Sequence, residues 1–469
     1  MRVAFIEPDP PFNVYYFLGR LPLLGNLTMG TLLRRAGHEV SVFKENVVRA
    51  YHDRRDAFHP VIRSADVVGI TAVTQTVKRA YKIADALKRQ FPDKRVIMGG
   101  PHVSAMPQEA VSHADHVVVG EGESVIRDLV EGRRTDTIIR GRPVDMNEVP
   151  PIDLDLLMGY KKKDGSFRLP VAPIMASRGC PYDCIFCSVT KLFGRKYRVK
   201  DPQKIMEEVR KRYDEGFREA FFYDDNFAAN PRKTKEFLRM LIDADLDFHW
   251  SSQFSVHVAR DPELVDLLVQ SKCRTLFIGV ESINPEALRD YHKQQTVEFI
   301  RESLNTLTGA GLGVHAMFIL GADSDTPGTT EETVRFSKEC GAETTQFSIL
   351  FPIPGTDLYQ QVREEDRVFV EDWDCYDGSH SVIVPKRMSP MELQRSFIKA
   401  YKQFYNTSVL RWAASRLGAL MWHWHNRRYM RFLRRFTRRL RRHPEVYPNA
   451  WPNPVQEQDE AARSKHASG

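Results

Sequence analysis

Short apolar runs alternate with helical patterns along most of this chain, and that alternation constrains the fold more than any single motif. The runs at residues 3–6, 39–43, 66–71, 95–100 and 116–120 are short, apolar and rich in valine and isoleucine, as buried strands are. Between them, 27–35 and Val77–Gln90 repeat apolar residues at helical spacing, the first stopped by Ala36-Gly37. Strands separated by helices cannot pair as tight hairpins. They lie parallel with helices on their faces, which predicts a doubly wound, Rossmann-like α/β domain over residues 1–130. Residues 131–170 carry Pro143, Pro150, Pro151 and Pro170 and read as an irregular linker between domains. Alternation then resumes, with strands expected at 173–177, 219–223, 249–253, 275–280, 314–319 and 345–350. Six βα units are too few for a closed eight-stranded barrel, so 171–390 is expected to form a partial, open (β/α)6 barrel. A helical C-terminal extension is expected over 391–443. The tail over 444–469, rich in Pro, Glu, Gln, Ser and Ala, is expected to be disordered.

Composition narrows the class. With 469 residues, 42% hydrophobic and 28% charged, the chain has the make-up of a globular protein of two to three domains with a sizeable core. No stretch is long and apolar enough for a membrane span. The opening apolar run meets a charge at Glu7, so no secretory signal is expected. Clustered cysteines without such a signal fit a reducing cytoplasm.

Three of the six cysteines fall in one loop, Cys180-Pro181-Tyr182-Asp183-Cys184-Ile185-Phe186-Cys187. Structural zinc sites close with four ligands, and no second cysteine pair or histidine follows nearby. Three thiolates on a four-iron cluster leave one iron open to a small molecule. The loop follows an expected strand at its carboxyl end, where parallel α/β sheets bind ligands. In this setting the C-x3-C-x2-C spacing resembles the radical S-adenosylmethionine (SAM) superfamily over about 171–390. The resemblance implies that Cys180, Cys184 and Cys187 hold a [4Fe–4S] cluster. SAM then chelates the open iron and is cleaved reductively to a 5′-deoxyadenosyl radical, with an electron donor such as flavodoxin or ferredoxin. It further implies SAM contacts at Phe186, at Tyr223-Asp224-Asp225, at Gly279, Glu281 and Ser282, and at Ile319 and Gly321. Asp224 and Asp225 also read as helix N-caps. Arg195 and Arg198 read either as partners of the SAM carboxylate or as residues of a solvated loop, the latter preferred for at least one of them.

In the first domain, three turns of small residues follow adjacent strands: Thr71-Ala72-Val73-Thr74, Gly99-Gly100-Pro101-His102 and Val119-Gly120-Glu121-Gly122. Small residues let a backbone lie against a bulky ligand. This pattern resembles the cobalamin-binding domain that precedes many radical SAM domains, and it implies cobalamin contacts at Thr71, Thr74, Gly99, Gly100, Pro101, His102, Gly120, Glu121 and Gly122. One departure stands out. The cobalt-ligating Asp-x-His-x-x-Gly motif is absent, because Glu7-Pro8-Asp9-Pro10-Pro11-Phe12-Asn13-Val14 holds no histidine. Cobalamin is therefore expected without a protein histidine beneath the cobalt. His102 and His113 read as polar turn residues.

The basic balance is local. Between residues 409 and 443 stand eleven arginines and no acid, more than the whole chain's formal net charge of +7, so the remainder is acidic. Leu417, Leu420, Met421, Trp424, Phe432, Leu433, Phe436 and Leu440 recur at helical spacing. The segment is expected to form one or two amphipathic helices lying on an anionic membrane, on the inner face for a cytoplasmic protein. Packing against the barrel is the alternative, and nucleic acid is disfavoured. The resemblance implies an enzyme that methylates an unactivated carbon, and the amphipathic segment suits a small-molecule hydrophobic substrate such as a lipid or isoprenoid. Its rivals are a cyclising or oxidising enzyme resembling the anaerobic tetrapyrrole cyclases and, from another class, a non-catalytic Fe–S sensing or membrane-docking protein.

Overall fold

The structure is a computed structural model that describes residues 1–10, 21–406 and 409–447. Residues 11–20, which include part of the histidine-free segment, and 448–469, most of the expected disordered tail, lie outside the described residues. Contacts divide the chain into two units, Met1–Asp183 with Cys187–Leu276, and Cys184–Phe186 with Phe277–Gly469.

The first unit opens on a parallel sheet. Its strands are β1 (Arg2–Glu7), β2 (Glu39–Lys44), β3 (Val67–Thr71), β4 (Arg95–Gly99), β5 (His116–Val119) and β6 (Ile138–Arg140), in spatial order β2-β1-β3-β4-β5-β6. The order reverses between β1 and β3, the switch point at which such sheets form a ligand crevice. Val3 to Ile6 are all buried, because helices cover both faces. Helix α1 (Leu24–Arg35) buries Leu24, Leu27 and Leu33, and α2 (Val77–Gln90) buries Val77, Ala80, Ile83, Ala84 and Leu87, the spacing of a single helical face.

The segment read as irregular linker needs correction. It supplies β6, a three-residue edge strand whose only apolar residues are Ile138 and Ile139, too few to register as a periodic pattern. Further on, Ile152, Leu154, Leu156, Leu157 and Tyr160 are buried, and Met158 N–H donates to Val42 O at 2.9 Å. The prolines mark a strap pressed onto this unit.

The second series begins with β7 (Ala172–Ile174), followed by a two-stranded antiparallel ribbon, β8 (Ser177–Arg178) and β9 (Arg198–Val199), that brackets the cysteine loop. Then come α3 (Pro202–Asp214), β10 (Glu219–Phe222), α4 (Pro231–Asp243), β11 (His249–Phe254) and α5 (Pro262–Gln270). Strand β10 pairs in parallel with both β7 and β11. Strand β12 (Cys273–Glu281), α6 (Val297–Gly309), β13 (Gly313–Leu320), α7 (Pro327–Glu339) and β14 (Thr344–Ile349) continue the alternation, β13 and β14 pairing in parallel. The six strands expected from the sequence are all present. Buried and half-buried residues alternate along β11, β13 and β14, the period-two pattern of barrel strands.

Helices α8 (Pro390–Phe404), α9 (Val409–His425) and α10 (Arg427–Arg442) close the described chain. The single apolar face expected along the arginine segment is split. On α10, Leu433 and Leu440 are buried and Phe436 stacks on Phe369 at 4.3 Å, so that face packs against its own unit. On α9, Leu417, Leu420, Met421 and Trp424 are exposed.

Candidate active site

The carboxyl ends of β3, β4 and β5 open onto a cavity of about 310 Å³. Thr71, Gly99, Gly100, Pro101, Gly120 and Gly122 line it, with Ile70, Met98 and Val118 behind them. Gly100 holds φ +101°, and a Cβ there would meet Thr71 Oγ1 at 2.7 Å and Ala72 O at 2.8 Å. Only glycine lets this turn lie flat on the end of β3. The opposite wall is Met175, Ser177, Arg178, Tyr223 and Asp225, from the ends of β7, β8 and β10. The two ligand ends of the first unit therefore face one space. A broad cavity floored by glycine backbone and aliphatic side chains suits a flat, bulky, largely apolar macrocycle such as cobalamin.

Two residues assigned to this cavity serve elsewhere. His102 is buried off the wall, with Nδ1 3.2 Å from Thr74 Oγ1 and Nε2 3.3 Å from Glu109 Oε2. Thr74 is thereby occupied with His102. His113 stacks on Tyr81 and bonds Asp85.

Glu121 is the centre of a buried ion cluster. Arg178 donates to Glu121 Oε2 at 3.0 Å and to Glu123 Oε1 at 2.5 Å, and Arg198 donates to both Glu121 oxygens and to Val144 O at 2.7 Å. Burial acts to raise the Glu121 pKa. Hydrogen bonds from Arg198 and the Val144 N–H, with the charges of both guanidiniums, outweigh it and hold the carboxyl below its usual range. Arg198 is thus neither a solvated residue nor free for SAM, whereas Arg195 is exposed beside Asp183. Arg178 and Glu123 were not singled out in the sequence. Both stand next to recognised motifs, but a pairing 55 residues apart leaves no periodic trace.

Asp224 and Asp225 hold the stem of the cysteine loop. Asp224 is fully enclosed and accepts from Ala176 N–H at 3.0 Å and from the Ser177 hydroxyl. Asp225 accepts from Gly179 N–H at 3.2 Å, one residue before Cys180. Burial pushes Asp224 up to about 7, against the hydrogen bonds from Ser177 and Ala176. It pushes Asp225 up to about 6, against the Gly179 hydrogen bond and the Arg178 charge. The N-cap reading fails, since Asn230 caps the helix that follows. Cys180, Cys184 and Cys187 are each half-buried. Among the described residues no three metal-ligating side chains converge on a single ion. A four-iron cube makes no such demand, because each thiolate takes its own iron.

In the second unit, Phe186 packs edge-on against Tyr291 at 5.2 Å, and Ile185 O accepts from Leu358 N–H at 3.1 Å. Glu281 ends β12 at φ +67°, an unusual conformation for a side-chain-bearing residue and one that collects at functional sites. Its carboxylate pairs with Lys293 at 3.0 Å, and a Cβ on Gly279 would collide with that carboxylate at 2.6 Å. Ser282 is buried and accepts from Asn284 N–H at 3.0 Å. Ile319 borders the hydrophobic cluster that holds Tyr291, and Gly321, at φ +93°, donates its N–H to Asp325 at 3.0 Å.

Comparison with known proteins agrees with this layout. Residues 15–130 match the B12 binding domain, and 174–337 match the radical SAM superfamily. The chain belongs to the cobalamin-binding radical SAM enzymes, a family of methyltransferases that also contains anaerobic cyclases. Its cofactors are a [4Fe–4S] cluster, SAM and cobalamin. Bacteriochlorophyllide d C-8(2)-methyltransferase of Chlorobaculum tepidum is 31% identical over 359 residues, covering 72% of this chain and 78% of that one. Hopanoid C-3 methylase of Methylococcus capsulatus is 27% identical over 445 residues, covering 89% and 82%. The solved structure of the methyltransferase TsrM from Kitasatospora setae, with cobalamin and [4Fe-4S] cluster bound, has the same fold, at a TM-score of 0.62 and 20% identity, covering 92% of this chain and 99% of that chain.

Proposed function

We propose that this enzyme transfers a methyl group to an unactivated carbon of a large hydrophobic substrate, polycyclic or lipid-like. The observation that carries the reading is the shared cavity, in which the glycine turns face Tyr223 and Asp225 across about 310 Å³. Gly99, Gly100, Pro101, Gly120 and Gly122 would cradle cobalamin. His102, held between Thr74 and Glu109, would not be among the residues that hold it. Cys180, Cys184 and Cys187 would hold the cluster. In the first unit Tyr223 and Asp225 would bind SAM, with Asp225 meeting its cationic end; in the second, Phe186 and the ends of β12 and β13 carry the family's other SAM motifs. When bound, the cluster and SAM supply a carbon-centred radical, and cobalamin carries the methyl group. The chain's own contribution is placement and exclusion of water. Glycine backbone brings a macrocycle close to the strand ends, and aliphatic side chains keep the space between them dry. The relatives named above methylate bacteriochlorophyllide d and a hopanoid, which favours a hydrophobic acceptor.

The test is anaerobic reconstitution with iron, sulfide and cobalamin, followed by incubation with methyl-labelled SAM and a host lipid extract. Formation of 5′-deoxyadenosine with label in an extractable product is expected. Cys184→Ala should lose cluster iron and all SAM cleavage, and cleavage at the wild-type rate would refute the cluster assignment. Turnover with an unlabelled, ring-closed or oxidised product would replace methyl transfer by cyclase-like chemistry.

A further inference from the structure

We propose that α9 and α10 form a docking face for an anionic lipid bilayer. The claim is independent of the substrate reading, for it rests on how these two helices are anchored. Trp422 on α9 and Asn426 at the junction with α10 are buried, the Trp422 indole donating to Ser379 Oγ at 3.3 Å and Asn426 Oδ1 lying 2.9 Å from His380 Nε2. These contacts fix the helix rotation and turn a different stripe outward. Leu417, Leu420, Met421 and Trp424, spaced as successive turns of one helical face, are 60%, 67%, 42% and 70% exposed. Large apolar side chains at consecutive positions of one face are a patch and not scattered surface residues.

The charge beside this stripe names the partner. Every arginine of α10, from Arg427 to Arg442, is exposed, and Arg427 lies over the Trp424 ring at 5.6 Å. No acid occurs between 409 and 443, and Glu392 approaches Arg441 at 3.9 Å from outside the segment. A second protein would match the apolar stripe, and a polyanion would match the arginines. A bilayer with anionic headgroups matches both, with acyl chains for Leu420 and Trp424 and phosphates for the guanidiniums. Among the described residues no helix is long and apolar enough to cross a membrane, so the helices lie along the surface.

The test uses the full-length reconstituted enzyme and vesicle flotation, with phosphatidylcholine alone and with phosphatidylglycerol added. The wild type should float with the anionic vesicles and release at high salt. Leu420→Ser with Trp424→Ser should weaken binding about tenfold or more, since both side chains lose their apolar contact with the acyl chains. Replacing Arg434, Arg435, Arg438 and Arg439 by Gln should weaken it comparably. Trp424→Phe should still float but lose quenching by brominated lipid, which separates contact from misfolding. Equal flotation of wild type and the serine variant overturns the proposal. So does a duplex nucleic acid bound in preference to vesicles, or a dimer broken by the serine variant in the absence of lipid. Flotation only after removal of 448–469 also overturns it, by showing that the chain's own tail covers the face.

Discussion

Two pairs of carboxylates stand at one cavity, Glu121, Glu123 and Asp225 on its wall and Asp224 enclosed behind Asp225, and they are treated in opposite ways. Glu121 and Glu123, after β5, are met by the guanidiniums of Arg178 and Arg198. Asp224 and Asp225, after β10, accept from backbone N–H groups and a serine hydroxyl. The consequence appears in their protonation: Glu121 is held below the usual carboxylate range, while Asp224 and Asp225 are pushed up to about 7 and about 6. A buried charge that already has its counter-ions is a fastener. One still short of positive charge is prepared for a cation, and SAM brings both a sulfonium and an ammonium. The glutamates tie the strand that leads into the cysteine loop to the glycine turn, and in the proposed reading Asp225 would be the carboxylate that meets a cationic ligand.

Removing the fastener should have the largest effect. Arg178→Met strips Glu123 of its partner and leaves Glu121 with Arg198 alone, both in a buried setting. Breaking a buried pair from one side costs about 3–5 kcal/mol. Denaturant unfolding of the cofactor-free chain should register a loss of that order, and Arg178→Met with Glu123→Gln should recover part of it. A single variant as stable as wild type would dissolve the distinction between the two pairs. The wild-type cluster also sets a pH signature. Because the folded pKa of Glu121 is depressed, its stabilisation is present above the unfolded value near 4.5 and fades as pH falls below it.

The contrast also marks what a sequence can and cannot disclose. The alternation of strands and helices is a local pattern, repeated every few residues, and it delivered the parallel order, the six later strands and the cysteine loop at a strand end. Strand β6 escaped because two isoleucines carry no period. The ion cluster escaped because Arg178 and Glu121 meet across 57 positions, a distance set by folding alone. Helical spacing identified apolar positions from 417 to 440. It could not say that Asn426 and Trp422 would fix α9 in one rotation while Leu433 and Leu440 fixed α10 in another. Composition likewise gave no notice that Glu281 would take a left-handed backbone, since that residue is common and the conformation rare for it.

Neutralising the waiting charge should act on ligand binding more than on stability. Asp225→Asn should weaken SAM binding by about 10- to 100-fold, the range for one charge-assisted hydrogen bond. In the wild type, SAM affinity should decline as pH falls through about 6, where Asp225 takes up a proton in the absence of ligand, and the asparagine variant should lack that slope. Isothermal titration over this window reads both. A variant that keeps wild-type affinity and slope would assign the cationic end of SAM to other groups.

Asp224 offers the smallest effect and the sharpest sign. It is fully enclosed, and its folded pKa lies above the unfolded value of 3.8. Between pH 4 and pH 7 the native chain therefore holds a proton that the unfolded chain has released, so the wild type loses stability as pH rises through that window. Asp224→Asn removes the titration. Asparagine can still accept from Ala176 N–H through its one carbonyl oxygen while its amide donates to the Ser177 hydroxyl oxygen, so the variant should start slightly below wild type near pH 4. It should then gain on the wild type with rising pH and level off above pH 7. Glutamate 121 has the opposite slope, because its counter-ions favour the charged form that burial alone opposes. Unfolding curves of Asp224→Asn and wild type across pH 4–8 should diverge in that direction. Curves that stay parallel would mean that Asp224 is ionised throughout, and that the β10 pair is neutralised within the protein just as the β5 pair is.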